Sequence, residues 1–583
     1  MNALKRVNKY FVKYRYRYAL GIVICIISNV LKLQIPDYIK ESVNAIAAHL
    51  EGSATDESIK NTLLTYILLI VGTAIIGGIL TFVTRQMIIV NSRLVEYDLK
   101  NEIYQQYQKL SLNFYKKNRT GDLTSRISED VSKVRMYFGP AVMYTLNTLV
   151  AIVVTFILMI KTNVMLTVYT LVPLPILSVS IYYLSKLIHK RTTIVQQQLS
   201  KITTVAQEAF SGVRILKSYA IEPSSIEQLS HEAEQSRQKN VSLYKVQAFF
   251  FPIMILLIGL SNIIVIYVGG LYYIDDLITF GDIAKFILYV NILTWPVAVL
   301  GWVTSIIQQA EASQKRINEF LDETPEIQNR VESETPVSGS IAFNNVQFIY
   351  DDTQIKALKD VSFELEAGKT LAILGKTGSG KSTIINLIAR LYDTESGLVT
   401  IGGKDVKDYN VYNLRNNIGF VPQDAFLFSD SIENNIKFGK EDATEEEIIQ
   451  AAKDAYIHHN IETFNNGYKT FVGERGVTLS GGQKQRISIA RAIIKDPEIL
   501  IFDDCLSAVD TETEEVILKN LMRVTKNRTT IITSHRVSSI KHADKILILE
   551  EGKIIQQGTH NQLSTKEGFY KDLYEQQLLE ENL

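Results

Sequence analysis

The sequence has few cysteines and no excess of charge of either sign. Cys25 and Cys505 are the two cysteines among 583 residues. They lie far apart in very different surroundings, so no disulfide framework is expected and both thiols are expected to stay reduced. Lys and Arg number 61 against 62 Asp and Glu, which argues against a protein that binds nucleic acid through bulk positive charge. No small-x-small cleavage site follows the first apolar run, so no cleavable signal is expected.

Long apolar runs recur through the first half of the chain. Each approaches the roughly 20 residues that a helix needs to cross a bilayer. They lie near 19–36, 63–84, 137–160, 164–184, 246–270 and 280–307. Buried helices of a soluble core are the alternative, but the repetition favours an all-α membrane domain with six spans at 19–321. Residues 322–339 contain prolines and acids and are typical of a linker. Strand-like and helix-like runs then alternate over 340–583, as in α/β domains.

Charge in the connections predicts the orientation of the spans. Residues 1–18 carry basic and aromatic side chains without an acid, which predicts an interfacial basic helix, with a solvated tail as the alternative. The connections 85–136 and 185–245 also hold many Lys and Arg residues, whereas 37–62 and 271–279 are acidic. The positive-inside rule therefore predicts an integral protein of the cell (plasma or inner) membrane, with both termini and both long loops cytoplasmic.

The two long loops are predicted to extend the spans as helices. Val95, Leu99 and Ile103 recur every four residues, and the first loop lacks proline. Breaks are expected near 118–122 and 222–225. A short transverse element at such a break could contact another domain; an ordinary helix–helix turn is the alternative.

A few polar residues interrupt the spans. Such groups face a bundle interior or a water-filled cavity, so hydrogen bonding between helices and contact with a substrate both remain open. Lys32 is expected to snorkel toward the outer interface. The residues are Asn29, Lys32, Asn147, Asn262, Asn291 and Trp295.

A glycine-rich stretch, GKTGSGKS at 375–382, lies between a strand-like run and a helix-like run. This pattern in this context predicts a P-loop, whose backbone N–H groups and helix dipole bind phosphate oxygens. Lys381 is expected to reach the β- and γ-phosphates, and Ser382 to ligate Mg²⁺. The predicted ATP-binding residues here are Gly375, Lys376, Thr377, Gly378, Ser379, Gly380, Lys381, Ser382 and Thr383.

Four further groups of residues follow the P-loop in order. The buried strand ILIFD at 499–503 ends in Asp503, placed to hold Mg²⁺ through water. The segment LSGGQ at 479–483 begins a helix and forms a second anion site. Gln423 and His535 each end a strand, and Gln423 offers an amide to metal and water. A Gln or His at a strand end is often structural when it occurs alone, but the ordered set indicates an ATPase.

These motifs resemble those of ABC exporter half-transporters, and the resemblance covers essentially the whole chain. The family fuses a six-span membrane domain to one nucleotide-binding domain. The resemblance therefore implies a multidomain membrane protein, with an all-α transmembrane domain carrying long cytoplasmic extensions and then an α/β P-loop NTPase domain of ABC type. It is carried by GKTGSGKS, Gln423, GERG at 473–476, LSGGQ, ILIFD, SAVD at 507–510 and His535.

The resemblance also implies roles for individual residues. Tyr350 would stack on adenine, and His535 would contact the γ-phosphate. Gln423 would ligate Mg²⁺ with Ser382 and Asp503 and would sense the nucleotide. The signature residues would complete a site on a partner chain, and Asp510 would link the two sites. The signature residues are Leu479, Ser480, Gly481, Gly482 and Gln483, and the residues that would couple the domains are Arg119, Asp122, Tyr219, Glu222, Glu474 and Arg475.

One residue departs from the family pattern. The family usually has Glu after the Mg²⁺-binding Asp, as general base or water-orienting group, whereas this chain has Asp504. The shorter arm withdraws the carboxylate by about 1.5 Å, and a displacement near 1 Å can cost about 10²-fold in rate. Slow hydrolysis is therefore expected at this P-loop. The resemblance favours the weak-site subunit of a heterodimer, while the retained His535 leaves a slow homodimer open.

The function implied by the resemblance is ATP-driven export of amphipathic small molecules, drugs or lipids by alternating access. ATP and Mg²⁺ are the expected cofactors. The expected partners are a second half-transporter and membrane lipid, and no nucleic acid is expected. A mainly ATP-binding regulatory subunit and an exporter-fold importer are the alternatives.

Overall fold

The structure is a computed structural model that describes residues 2–51, 55–473, 476, 479–506 and 511–581. The chain forms two compact units. Unit 1 comprises Met1–Tyr107 and Gly121–Asp322. Unit 2 comprises Gln108–Thr120 and Glu323–Leu583. The short segment 108–120, which the sequence pattern placed within a long cytoplasmic loop, therefore belongs to unit 2.

Unit 1 is helical throughout its described part. Helix α5, Leu112–Lys117, belongs to unit 2, and α4 extends into the start of segment 108–120. The α-helices of unit 1 are α1 Asn8–Lys13, α2 Arg15–Lys32, α3 Ile35–Leu50, α4 Asp56–Lys109, α6 Thr120–Ser125, α7 Val131–Met136, α8 Val142–Thr162, α9 Val164–Leu171, α10 Pro173–Ser211, α11 Val213–Ser218, α12 Glu222–Gln247, α13 Phe250–Ile274 and α14 Phe280–Leu321. Wider π-type turns at Arg126–Asp130 and Tyr137–Ala141 connect α6, α7 and α8. The second contains Pro140, which cannot donate to an α-helical hydrogen bond.

Five helical stretches of the described chain are long and apolar enough to cross a membrane, by length and composition. They contain the predicted spans 19–36, 63–84, 137–160, 246–270 and 280–307. The predicted span 164–184 lies on α9 and the start of α10, which meet at Val172 and Pro173. Its described residues do not form one of the five stretches, so the sixth span stays a prediction.

The N-terminal segment packs within unit 1 instead of forming one free basic helix. A 3₁₀ turn at Ala3–Val7 and α1 precede α2, which begins at Arg15. Lys9 forms an ion pair with Glu102 at 2.7 Å, and Lys13 pairs with Asp98 at 2.5 Å. Both acids lie on one face of α4, four residues apart. The predicted single helix over 1–18 is thus divided at Tyr14, and its acidic partners could not be predicted because they are distant in sequence; an interfacial position stays a prediction.

Unit 2 contains two β-sheets and flanking helices. The first sheet has the strand order β2-β1-β4-β5, and the second has the order β10-β9-β3-β8-β7-β6. The strands are β1 Ile341–Ile349, β2 Lys356–Leu365, β3 Thr370–Gly375, β4 Ser396–Ile401, β5 Lys404–Asp405, β6 Ile418–Val421, β7 Ile499–Asp503, β8 Thr529–Ser534, β9 Lys545–Glu550 and β10 Lys553–Gly558. The helices that follow α5 in this unit are α15 Lys381–Ile388, α16 Val411–Asn416, α17 Ile432–Lys437, α18 Glu445–Asp454, α19 His458–Glu462, α20 Gly481–Ile493, α21 Thr511–Val524, α22 His560–Leu563 and α23 Phe569–Glu581.

The second sheet positions the site. Strand β3 pairs in parallel with β8 and β9, and β7 pairs in parallel with β6 and β8. The interior residues of β3 and β7, Leu371–Leu374 and Ile499–Phe502, are apolar and buried, as in a sheet covered on both faces. The carboxyl ends of β3, β6, β7 and β8 therefore lie along the same edge, where open parallel sheets bind ligands.

Candidate functional site

The loop between β3 and α15 has the tight geometry that its glycines permit. Gly378 and Gly380 adopt positive φ angles of 79° and 106°. A Cβ on Gly375 would lie 2.3 Å from the carbonyl oxygen of Leu549 on β9. These positions admit only glycine without strain, so backbone N–H groups can approach a phosphate closely.

Lys381 begins α15 and folds back over this loop. Its Nζ donates to the carbonyl oxygens of Gly375 at 2.6 Å and Lys376 at 3.0 Å. Burial lowers the pKa of Lys381, while the charges of Asp504 and Asp503 oppose that fall. The ammonium is thus held within the loop, where its donors can exchange carbonyl oxygens for phosphate oxygens.

Ser382 and Asp503 lie together beside the P-loop. Ser382 Oγ donates to Asp503 Oδ1 at 3.3 Å. Thr533 Oγ1, on the neighbouring strand β8, donates to the same carboxylate oxygen at 2.7 Å. The hydroxyl and carboxylate oxygens are the hard donors that Mg²⁺ prefers, with waters and phosphate oxygens as its other ligands. Because their oxygens lie side by side next to the P-loop, Ser382 and Asp503 fit this ion. No group of three or more His, Cys, Asp or Glu that could hold a metal occurs among the described residues.

Asp504 occupies a constrained turn directly after β7. Its φ is +44°, and its N–H donates to the carbonyl oxygen and the hydroxyl of Thr533 at 3.1 and 3.0 Å. Gln423 Nε2 donates to Asp504 Oδ2 at 3.4 Å, and His535 Nε2 lies 3.9 Å from the same oxygen. Burial raises the pKa of the Asp504 carboxyl, and the charges of His535 and Lys381 oppose that rise. The structure thus brings Gln423, Asp504 and His535 together.

Tyr350 follows β1 and contacts the first turn of α15. Its hydroxyl lies 3.0 Å from Thr383 Oγ1, and its ring meets Tyr392 edge-on at 5.6 Å between centroids. The ammonium of Lys116, on α5, lies 4.3 Å from the Tyr350 ring centroid. Tyr350 therefore joins the P-loop helix to segment 108–120, a connection that the sequence pattern did not predict.

The signature segment forms the N-terminus of α20. Ser480 is its N-cap and makes a capping box with Gln483, in which Ser480 Oγ accepts from Gln483 N and Gln483 Oε1 accepts from Ser480 N. Leu479 and Gly482 are buried, and Ser480 and Gly481 are exposed. Within the described residues this segment makes no hydrogen bond to the chain's own P-loop.

Two residues near the site were missed by the motif search. Thr533 holds both Asp503 and Asp504, and the parallel register opposes Thr533 to Asp503; its place two residues before His535 was the available signal. Gln485 on α20 donates from Nε2 to the carbonyl oxygen of Gln423 at 3.3 Å. Because α20 begins with the signature segment, this bond connects that segment to Gln423.

The predicted coupling residues are distributed over both units. Arg119 lies in segment 108–120 of unit 2, and Asp122, in unit 1, accepts from Arg126 at 2.8 Å. Tyr219 follows α11 and is exposed, and Glu222 begins α12. The first loop breaks at Asn118–Arg119, within the predicted 118–122. The second breaks at Tyr219–Ile221, just before the predicted 222–225, where α12 has already begun because Pro223 is accepted in the first turn of a helix. Glu474, Arg475 and Asp510 lie outside the described residues.

Two family models match the chain. Residues 18–297 match the ABC transporter transmembrane region, and residues 358–507 match the ABC transporter model. Among curated proteins, the chain is 34% identical to the probable multidrug resistance ABC transporter ATP-binding/permease protein YheI of Bacillus subtilis, over 99% of this chain and 98% of that protein. It is 33% identical to the multidrug resistance-like ATP-binding protein MdlA of Escherichia coli, over 100% and 97%. A solved structure titled as a bacterial Atm1-family ABC exporter with ATP bound matches with a TM-score of 0.79 at 26% identity, covering 97% of this chain and 98% of that one.

Proposed function

The chain belongs to the ABC transporter family, with a transmembrane region and an ATP-binding domain in one polypeptide, and we propose that it is an ATP-driven exporter of amphipathic small molecules, drugs or lipids. The observation that carries this proposal is the P-loop assembly of Lys381, Ser382 and Asp503 in the same chain as five membrane-spanning candidates. The names of YheI and MdlA, which refer to multidrug resistance, support the substrate class. ATP binding and hydrolysis then drive alternating access of the membrane domain.

The nucleotide site is built from the chain's own P-loop. Lys381 binds the β- and γ-phosphates by exchanging its two carbonyl partners for phosphate oxygens. Ser382, Asp503 and Gln423 are the residues that would hold Mg²⁺ beside the phosphates. Tyr350 stacks on adenine. Bound Mg²⁺ supplies charge neutralisation at the transferred phosphoryl group.

A second chain completes the site. The capping box at Ser480 fixes the N-terminus of α20 with the N–H groups of Gly481 and Gly482 directed outward from the helix end, a geometry that binds anions. Ser480 and Gly482 bind the γ-phosphate held by the partner's P-loop, and Asp510 links the two sites. The functional unit is therefore a dimer of half-transporters in the cell membrane, with membrane lipid around its spans.

Asp504 makes the chain's own site slow. Its carboxylate is one methylene shorter than Glu, and the bonds from its N–H to Thr533 restrain the backbone from which it extends. These bonds keep the Asp504 backbone from shifting toward the nucleotide, which would be needed to bring its carboxylate to the position of a Glu carboxylate. We favour a heterodimer in which the partner carries Glu and this chain's signature segment completes the faster site.

A regulatory role is the second candidate function, and Asp504 is the observation that favours it. A chain that binds ATP but rarely cleaves it would hold the dimer closed while the partner's site turns over. The retained contact of His535 with Asp504 at 3.9 Å supports residual hydrolysis instead. Single-turnover hydrolysis at this site separates the two.

Segment 108–120 and the exposed turn at Tyr219 transmit nucleotide state to the membrane domain. Within unit 2, Asn113 Nδ2 donates to Glu326 and Asp351, both at 2.9 Å. Lys116, on the same segment, contacts the ring of Tyr350. Through these bonds α5 follows the nucleotide site. We propose Arg119, Asp122, Tyr219, Glu222, Glu474 and Arg475 as the other residues that couple nucleotide state to the membrane domain.

Replacement of Lys381 tests the assignment of the nucleotide site. Lys381→Ala should abolish ATP binding by the purified full chain, because the phosphates lose their charged partner. Lys369→Ala removes a surface lysine paired with Asp544 and should leave the affinity unchanged. Equal nucleotide affinity of Lys381→Ala and Lys369→Ala would refute the assignment.

A further inference from the structure

A cavity of about 310 Å³ lies among α2, α4, α8 and α14 of unit 1. All four helices belong to the membrane-spanning candidates. The volume is at the lower end of small-molecule sites, and such sites combine apolar walls with a few placed polar groups. The cavity is separate from the nucleotide site, which lies in unit 2.

One side of the cavity is cationic. Lys32, near the end of α2, donates from Nζ to Thr81 Oγ1 on α4 at 2.6 Å. Ser28, one helical turn earlier on α2, contacts the same hydroxyl at 3.1 Å. The ammonium therefore lies level with Ser28, inward from its own Cα. The expectation that Lys32 snorkels toward the outer interface did not include this partner on α4, and its position relative to the membrane stays a prediction.

Arg85 adds a second positive charge to this side. It also lines the cavity and lies four residues after Thr81 on α4, which is about 6 Å along the helix axis. No acidic side chain lines the cavity among the residues that the structure describes. Within that part of the chain Arg85 also forms no ion pair, and Lys32 has a neutral hydroxyl as its partner.

The remaining walls are amide and apolar. Asn29 Nδ2 donates to Asn147 Oδ1 at 2.8 Å, and Cys25 Sγ contacts the same oxygen at 3.1 Å. These bonds join α2 to α8, so both asparagines help to hold the helices together. Met143, Ile292 and Trp295 supply apolar and aromatic surface. The cavity thus offers two cations beside a hydrophobic wall.

Lys32 lies within the predicted span 19–36, where a cation without a carboxylate partner is costly, and such residues mark pathways for ions or substrates. If Lys32 had only a structural role, a neutral side chain hydrogen-bonded to Thr81 would stabilise the helix pair equally well. Lys32 and Arg85, which line the same cavity, together fit a ligand that brings its own negative charge, and they repel a cationic one.

We propose that this cavity is a substrate site selective for amphipathic anions, in which Lys32 and Arg85 bind a carboxylate, sulfonate or phosphate group and the wall around Trp295 contacts the apolar body. This inference rests on the proposed export function and specifies its substrate class. Cationic amphiphiles are excluded by charge, which distinguishes this chain from a pump for cationic drugs.

The cavity contains its own spectroscopic probe. The chain has two tryptophans, so Trp302→Phe leaves Trp295 alone. Energy transfer from Trp295 to dansyl then reports binding in the full chain reconstituted into lipid nanodiscs, without ATP. The probes are a dansyl-labelled fatty carboxylate and its quaternary ammonium analogue of the same chain length. Protein-free nanodiscs correct for partition of each probe into lipid.

We expect the carboxylate probe to bind at least about tenfold more tightly than the ammonium probe, as a charge-assisted hydrogen bond contributes. Lys32→Gln should remove most of this preference, and Lys32→Glu should reverse it, which a misfolded variant would not do. Lys60→Gln removes a positive charge from α4 outside the cavity and should retain the preference.

Equal binding of the two probes, binding of neither, or an unchanged preference in Lys32→Glu overturns the inference. Because the measurement needs no ATP, it is independent of transport. ATP-dependent uptake of the ammonium probe alone would leave the export function standing and refute the anion site. Anion-selective binding without ATP-dependent uptake of either probe would instead contradict the export function.

Discussion

The Thr533 hydroxyl donates to the Asp503 carboxylate at 2.7 Å, and the same hydroxyl accepts the N–H of the following Asp504 at 3.0 Å. One buried side chain on β8 thus fixes the carboxylate of Asp503 and the backbone of Asp504 at the end of β7. Asp503 is oriented toward Ser382, and the turn at Asp504 is held at its positive φ of 44°. One hydroxyl therefore links the Asp503 carboxylate, proposed to hold Mg²⁺, to the backbone of Asp504, the residue proposed to orient water.

Replacement of Thr533 by Val should therefore affect both the Asp503 carboxylate and the turn at Asp504. The isosteric change removes the donor to Asp503 and an acceptor from Asp504, with an expected loss of about 1–3 kcal/mol in the free energy of unfolding. We expect Mg²⁺-dependent ATP affinity to fall about tenfold, measured by titration of the metal at fixed nucleotide. Thr530→Val, also buried on β8, is the control for loss of a buried hydroxyl. Equal metal affinities of the two variants would contradict the role of Thr533.

Extension of the Asp504 side chain should accelerate hydrolysis. Asp504→Glu returns the carboxylate oxygens about 1.5 Å toward the nucleotide, and we expect a rise of about 10- to 100-fold in single-turnover rate at this site. Asp504→Asn should remove the residual activity while ATP binding persists. If Asp504→Glu gives no rise even with the partner chain present, the distance of this carboxylate does not limit the site.

The pH dependence of that single-turnover rate should reflect the burial of Asp504. The carboxyl acts only when ionised, and burial raises its pKa, so the acidic limb of the rate profile should lie above the range of an ordinary aspartate. The negative charges of the phosphates of bound ATP also raise the pKa of the Asp504 carboxyl. His535→Gln removes a charge that lowers this pKa and should move the limb to still higher pH. An acidic limb at the ordinary aspartate pKa would contradict the effect of burial on Asp504. A limb that does not move in His535→Gln would contradict the effect of His535 on the pKa of Asp504.

Local motifs were predictable because their geometry depends on neighbouring residues. The strand, glycine turn and helix around Lys381 were read from the sequence, and the ABC fold that they implied is confirmed by both family models and by the Atm1-family match. Asp503 was found because it ends an apolar strand. Thr533 was missed because its importance arises from the parallel register with β7, which the sequence does not state.

Contacts between distant segments were the least predictable. Lys9 and Lys13 resembled lipid-facing cations until α4 supplied Glu102 and Asp98 as partners. Lys32 resembled a snorkelling residue because its position near a helix end is visible in the sequence, whereas Thr81 on another helix is not. Segment 108–120 was read as part of a long loop, and its membership of unit 2 depends on Glu326 and Asp351, more than 200 residues away.

Asn113→Leu tests whether α5 transmits the state of the nucleotide site. The buried Asn113 amide donates to both Glu326 and Asp351, and its loss leaves two carboxylates without this donor, at about 1–3 kcal/mol. We expect basal ATP hydrolysis to persist, while its stimulation by a transported amphiphile falls about tenfold, because the segment no longer follows unit 2. As a control, Lys117→Ala changes an exposed residue of the same helix and should retain full stimulation of ATP hydrolysis. A proportional loss of basal and stimulated hydrolysis in Asn113→Leu would indicate that Asn113 only stabilises the fold, and α5 would then not be the coupling element.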